Sequence, residues 1–241
     1  MHFTNLKNLT DGYKNSQNDY IMSTKFNILS SVPNLSEKGK VSVIASRPGM
    51  GKTTFMLQTA LNYAINQNKP CYIFSLEMNK EYLLKRTLKM IPDFDTLIRL
   101  PISICDDISD IEDIEKAFEY EIKDGIVFID YLWLVRSKIG GITPKDILME
   151  LKEIAEQKQI SIVLTSQLSA TEYEELLKNK DIGLQYYALA ERFIFLNREP
   201  FLLDDYTENP NADNVYITIY ENADITTKMF KWNSEKYCFE Q

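Results

Sequence analysis

The sequence predicts an α/β protein: a mostly parallel sheet covered by helices on both faces, with a C-terminal antiparallel hairpin. Three observations predict it. Short, continuous apolar runs alternate with helical stripes from 41 to 166, and parallel strands buried on both faces read as unbroken apolar runs. The first run passes through a glycine-bearing loop straight into a helix. Near the end, 215–220 and 227–232 read as two strands joined by a short turn.

Residues 1–22 are polar, with Asn and Lys and little period. They are expected to form a flexible arm or a short linker helix ahead of one domain over 23–241. Residues 23–40 read as an irregular lead-in punctuated by Pro33 and Gly39. The first core strand is 41–45, followed by the loop 46–51 and a helix opened by Lys52. That helix carries the stripe Leu57, Ala60, Leu61, Ala64 and Ile65 and stops at Asn68-Lys69-Pro70. A strand over 71–75 follows. Asn79 is suited to cap the next helix, whose inner face is Leu83, Leu84, Leu88 and Ile91. After a strand at 101–105, Ser109 and Glu112 have the spacing of a capping box before Ile111, Ile114, Phe118 and Ile122. The strand 125–130 precedes a helix with Thr143 as N-cap and Pro144 in first position. Strands at 160–166 and 192–197 come next, then an acidic, Asn-rich loop over 199–213.

Composition narrows the function classes. At 241 residues and 44% hydrophobic, the chain can bury a full α/β core. No run of 18 apolar residues occurs, and the N-terminus lacks a basic start followed by an apolar core. A membrane span and a secretory leader are not expected, and the cytoplasm is the expected compartment. Cys71, Cys105 and Cys238 are scattered and His2 is the sole histidine. A Cys/His zinc site and a histidine-based triad are therefore ruled out, and the thiols are expected to be reduced and structural. The net charge of −8 counts against DNA binding by the isolated chain, and less against a ring that gathers a few basic groups; any nucleic-acid contact would need a local patch, such as a channel lined by loops.

The chemistry concentrates in VSVIASRPGMGKTT, 41–54. A strand, a tight turn and a helix start place backbone amides and the helix dipole against an anion. The cradle is Ser46, Arg47, Pro48, Gly49, Met50, Gly51, Lys52, Thr53 and Thr54. Ser46 stands where the usual pattern has its first glycine, a small residue for a small residue. Lys52 would reach the β- and γ-phosphates of ATP, and the Thr53 hydroxyl would hold Mg²⁺. Other strand ends face the same crevice in such a sheet. Asp130 ends an apolar strand, where an acid holds Mg²⁺, though a strand-end Asp can also cap a turn. Glu77, just past 71–75, can orient the attacking water or be a solvated helix lead. Gln167, after 160–166, can sense the γ-phosphate or be an ordinary loop residue. Phosphoryl transfer also needs a cation on the transferring group, for which Arg47, Arg192, Arg198, Lys228 and Lys231 are candidates. The many tyrosines and two tryptophans read as core or hairpin residues rather than base-stacking platforms.

Taken together, ASRPGMGKTTF, YIFSLEM, VFIDYLWLV and IVLTSQLS, in this order and at these intervals, resemble the bacterial and phage replicative DNA helicase family of DnaB type. They match its C-terminal RecA-like ATPase domain, over about 23–168. The resemblance implies a homohexamer with ATP-Mg²⁺ between subunits and single-stranded DNA through its centre. It implies Glu77 as the water-activating catalytic carboxylate, Asp130 as the Walker B acid, and Gln167 as the link to the DNA loop. A helicase loader, a primase or a full-length helicase are the implied partners. Two departures are visible. The family's basic loop after the glutamine reads SATEYEELLKNKDIGLQYYALAER here, with few cations. The hairpin tip that carries a Lys and an Arg in the family aligns with Ile219 and Glu221. The reading as an ATP-driven DNA helicase motor therefore stands beside a second: a degenerate nucleotide-binding relative that docks on a helicase or another partner without unwinding. Another RecA-like ATPase, of recombinase or clock type, is a third reading, against which SLEM and DYLWL argue.

Overall fold

The computed structural model describes residues 3–9, 34–138, 140–179, 189–199, 208–222 and 224–240. One ten-stranded mixed sheet organises them, in the order β1-β4-β3-β5-β6-β2-β7-β8-β9-β10. The strands are β1 Thr4–Asn5, β2 Val41–Ser46, β3 Cys71–Ser75, β4 Ile102–Cys105, β5 Ile126–Asp130, β6 Ser161–Gln167, β7 Arg192–Arg198, β8 Asn214–Glu221, β9 Asp224–Asn233 and β10 Cys238–Glu240. Strands β4, β3, β5, β6, β2 and β7 run parallel, and β7 through β10 are antiparallel. The central strands read as continuous apolar runs because both faces are covered: every residue of β2 and β5 is buried.

The helices are α1 Leu6–Leu9, α2 Lys52–Gln67, α3 Lys80–Met90, α4 Phe94–Leu97, α5 Ile111–Tyr120, α6 Pro144–Lys158 and α7 Ala170–Asn179. One core packs α2 and α3 on the sheet through Phe55, Leu61, Leu83, Leu84, Phe128 and Phe230. The opposite core packs α5, α6 and α7 through Ile114, Phe118, Leu148, Leu151, Leu164 and Leu176. The sheet is thus doubly covered, and the C-terminal hairpin extends it as expected.

Two caps form as the sequence predicts. The Asn79 side chain accepts from the Tyr82 backbone N–H, and Thr143 and Asp146 make a full capping box with Pro144 in the first turn. The Ser109–Glu112 box does not form. Helix α5 starts from Asp110 without a side-chain cap bond, because the Glu112 carboxylate accepts instead from the Ser137 hydroxyl, at 2.7 Å, and from the Lys138 N–H. Ser46 also belongs to the strand, not to the loop.

Four elements lie outside the sequence expectation: β1, α4 and β10, which are too short to carry a period, and the ten-residue helix α7. The described part of the 1–22 arm lies on the sheet. There β1 pairs with β4, Leu6 is buried, and Phe3 packs edge-on against Tyr72 and Phe74. In the lead-in, Leu35 is buried, with its N–H on the Tyr63 hydroxyl. Residues 10–33, 180–188 and 200–207 lie outside the described residues, and with them most of the arm, much of the lead-in and most of the acidic loop.

Candidate nucleotide-binding site

The carboxyl ends of β2, β3, β5 and β6 lie side by side, since β2 and β3 flank the β5–β6 pair in the sheet. Ser46 pairs in register with Gln167, and Ser75 with Asp130. That register, not proximity in sequence, gathers the predicted residues. The chain leaves β2 through Arg47 and Pro48 and turns at Gly49 (φ 76°) and Gly51 (φ 97°) into α2. Both values lie in the left-handed region that favours glycine. Gly51 is needed twice, because a Cβ there would stand 2.6 Å from the Phe239 ring. At Gly49 the space is open and only the backbone conformation demands glycine.

Lys52 folds its amine back on the loop, donating to the carbonyls of Ser46 at 3.4 Å and Arg47 at 3.2 Å. Burial holds its pKa below the ordinary lysine value, partly offset by the negative charges of Asp130 and Glu77. Beneath it, the Thr53 hydroxyl donates to one Asp130 oxygen at 2.7 Å and the Thr165 hydroxyl to the other. Asp130 is 1% exposed. Glu77 is exposed two residues beyond β3, where the Leu76 N–H is tied to the Asp130 carbonyl at 2.8 Å. Burial, then the negative charges of Glu77 and Asp130, raise the pKa of the neighbouring Tyr131 phenol.

A cavity of about 260 Å³ opens over this loop, lined by Pro48 through Thr54 together with Glu77 and Gln167. Two of the predicted cradle residues do not line it. Ser46 is buried in the strand, and the Arg47 guanidinium lies 5.3 Å over the Tyr173 ring. Among the candidate cations, Arg198 lines the cavity, its guanidinium over Trp232 and its Nε on the Ala212 carbonyl. Lys231 donates to Asn214. Arg192 is buried between Glu37 and Glu221, the latter at 2.5 Å.

Sequence reasoning missed one wall entirely: Arg86, Trp232, Tyr237 and Phe239. Arg86 sits over the Tyr82 ring, and its buried Nε has no hydrogen-bond partner among the described residues. Trp232 packs at 5.4 Å on Phe239 and 5.5 Å on Tyr237. The helical period, which places Arg86 about two turns past the Asn79 cap, was the available signal for that residue; nothing local pointed to the C-terminal aromatics.

Thr53, Asp130 and Thr165 present hydroxyl and carboxylate oxygens, a donor set that suits Mg²⁺ bound through one protein carboxylate plus phosphate oxygens and water. Among the described residues no group of three or more His, Cys, Asp or Glu is placed to hold a metal.

Fold and loop together define an α/β domain of RecA-like architecture with a candidate phosphate-binding loop. Residues 22–99 match the family described as DnaB-like helicase C terminal domain. The replicative DNA helicase DnaB of Synechocystis sp. is 30% identical over 178 residues, 61% of this chain and 20% of that protein. The replicative DNA helicase DnaC of Bacillus subtilis is 26% identical over 230 residues, 79% of this chain and 50% of that one. The chain thus spans a fifth to a half of the length of these two relatives. A solved DnaB-like replicative helicase, described with its interactions with primase, superposes with a TM-score of 0.67 at 23% identity, covering 85% of this chain and 57% of that one. The resemblance to DnaB-type replicative helicases that the motifs carry is thereby shown, in the C-terminal ATPase domain of that family.

Proposed function

We propose that the chain is an ATP-Mg²⁺-binding motor domain that couples hydrolysis to movement along single-stranded DNA and so to duplex unwinding. The observation that carries the reading is the Thr53–Asp130 hydrogen bond at 2.7 Å beneath the Lys52 amine. It joins the phosphate loop to the acidic strand end, the two halves of a nucleoside-triphosphatase site. In this reading Lys52 and the loop amides bind the β- and γ-phosphates. Thr53 and Asp130 hold Mg²⁺, which neutralises phosphate charge when bound. Glu77 orients water, and Gln167 lies where it can report the terminal phosphate to the chain beyond β6. The Trp232, Tyr237 and Phe239 wall takes the base, and Arg86 and Arg198 supply cations from the same chain. A homo-oligomer, in the family's hexameric form, with a primase or loader as partner and the cytoplasm as compartment, belongs to the same proposal.

Lys52→Ala tests it. ATP-Mg²⁺ binding by calorimetry is expected to disappear; unchanged affinity in the variant would remove the nucleotide reading. Turnover with and without single-stranded DNA then tests the motor, which should be stimulated.

One observation favours a second reading, an accessory relative that binds nucleotide without unwinding. Glu221, at the hairpin tip, is held by Arg192 of its own chain, and Ile219 is a core residue. Neither position offers a cation to a neighbouring site. A flat, near-zero turnover with intact binding would select this reading.

A further inference from the structure

The sheet ends on an edge that β10 covers only in part. β10 pairs with 231–233 of β9, and among the described residues no strand lies beyond 224–230. The Trp232 N–H points inward, to the Asp213 carbonyl at 2.7 Å. Backbone groups alternate in direction along a strand, so those of Ile225, Thr227 and Met229 point outward. An open edge of this kind is a template for another strand. Ile225 and Met229 are large apolar side chains left exposed there. Asp224, Thr226 and Lys228 lie on the opposite face, the face of buried Phe230. Neither Asp224 nor Lys228 has an ion-pair partner among the described residues.

That edge is complementary to itself. Antiparallel neighbours must set outward residue against outward residue, and two copies of one strand meet about a two-fold axis. With the axis at Thr226, Ile225 of each chain faces Thr227 of the other in a hydrogen-bonded pair. On the opposite face Asp224 of each chain faces Lys228 of the other, so both charges are answered twice. The pairing ends at 228, short of the lane that β10 enters at 231. With the axis at Thr227 instead, Asp224 would face Phe230 and both charges would lose their direct partners. A foreign strand would need a cation and an acid at the same four-residue interval; a second copy carries them already.

We propose that β9 pairs with the β9 of a second copy through this edge, continuing one sheet across two chains as an isologous dimer. The inference rests on the sheet edge and not on the nucleotide reading.

Sedimentation of the full chain without nucleotide, over a dilution series, tests it; a ring formed with ATP-Mg²⁺ is thereby kept separate. Wild type should sediment at twice the chain mass. Thr227→Pro removes an outward N–H, which an edge strand tolerates, and should sediment at the mass of one chain with unchanged circular dichroism. Asp224→Lys should also split the dimer, and adding Lys228→Asp should restore it. The two positions lie roughly 13 Å apart along one strand, so they can meet only between chains. Thr226→Cys should oxidise to a linked dimer across the axis, while the native Cys71, Cys105 and Cys238 are buried. Should the proline variant unfold, the charge reversals and the cross-link decide. A wild type at the mass of one chain, a dimer that survives a folded Thr227→Pro or Asp224→Lys, a double reversal that stays apart, or a Thr226→Cys protein that does not cross-link would each overturn the proposal.

Discussion

At Lys52 the proposed function and the stability of the resting protein meet in one side chain. Its ammonium is partly desolvated, and that burial lowers its pKa below the ordinary 10.5 despite the opposing charges of Asp130 and Glu77. The folded state therefore binds that proton less tightly than the unfolded one. The resulting destabilisation is present at neutral pH and is relieved as pH climbs through the lowered pKa toward 10.5. Without nucleotide, Lys52→Met should consequently melt at or above the wild-type temperature near pH 7, and the difference should shrink at alkaline pH. The same variant should bind no ATP. Wild-type ATP affinity should fall on the alkaline side earlier than a free lysine would dictate. Melting curves and calorimetry across pH check both limbs. Under the proposed function, the loop gives up some stability of its own for the binding of an anion.

Among the elements, β10 matters more than its three residues suggest. Phe239 is buried against Phe55 and Trp232 and stands over Gly51. The Gln58 side chain donates to the Phe239 carbonyl at 2.7 Å and accepts from its N–H at 2.9 Å. A residue of α2 thereby replaces a missing strand neighbour. Phe239→Ala should cost about 3–5 kcal/mol of stability by denaturant unfolding, the usual range for a large core ring. It should also weaken nucleotide binding, because the ring backs the phosphate loop. Wild-type affinity in a stable Phe239→Ala protein would show that loop and terminal strand are independent. Neither β10 nor the Arg192 clasp could be read locally. So short a strand has no period, and the Arg192–Glu221 pair depends on β7 and β8 lying in register. The capping box at Ser109 failed for a related reason: tertiary partners at Ser137 and Lys138 claim Glu112.

For the whole molecule, the proposed function turns on which chain supplies the cations. Both arginines that line the phosphate cavity, Arg86 and Arg198, come from the chain that carries the loop, while Glu221 at the hairpin tip has its carboxylate occupied at home. Turnover per chain is therefore expected to vary little on dilution if these arginines suffice, and to collapse if a neighbour must supply a cation. Sedimentation with ATP-Mg²⁺ alongside a dilution series of turnover distinguishes these outcomes. What the sequence determined alone was the alternation of buried strands and helices, the glycine-bearing turn from β2 into α2, and the places of Glu77, Asp130 and Gln167 at the strand ends. All of these are local patterns, set by backbone conformation and burial within a few residues. The tertiary structure alone decided which distant groups meet them: Thr165 under Asp130, the aromatic wall from the last strands, Gln58 on Phe239, and Arg192 across from Glu221. Those hydrogen bonds join residues from 29 to 181 positions apart, and only the order and register of the sheet bring them within bonding distance.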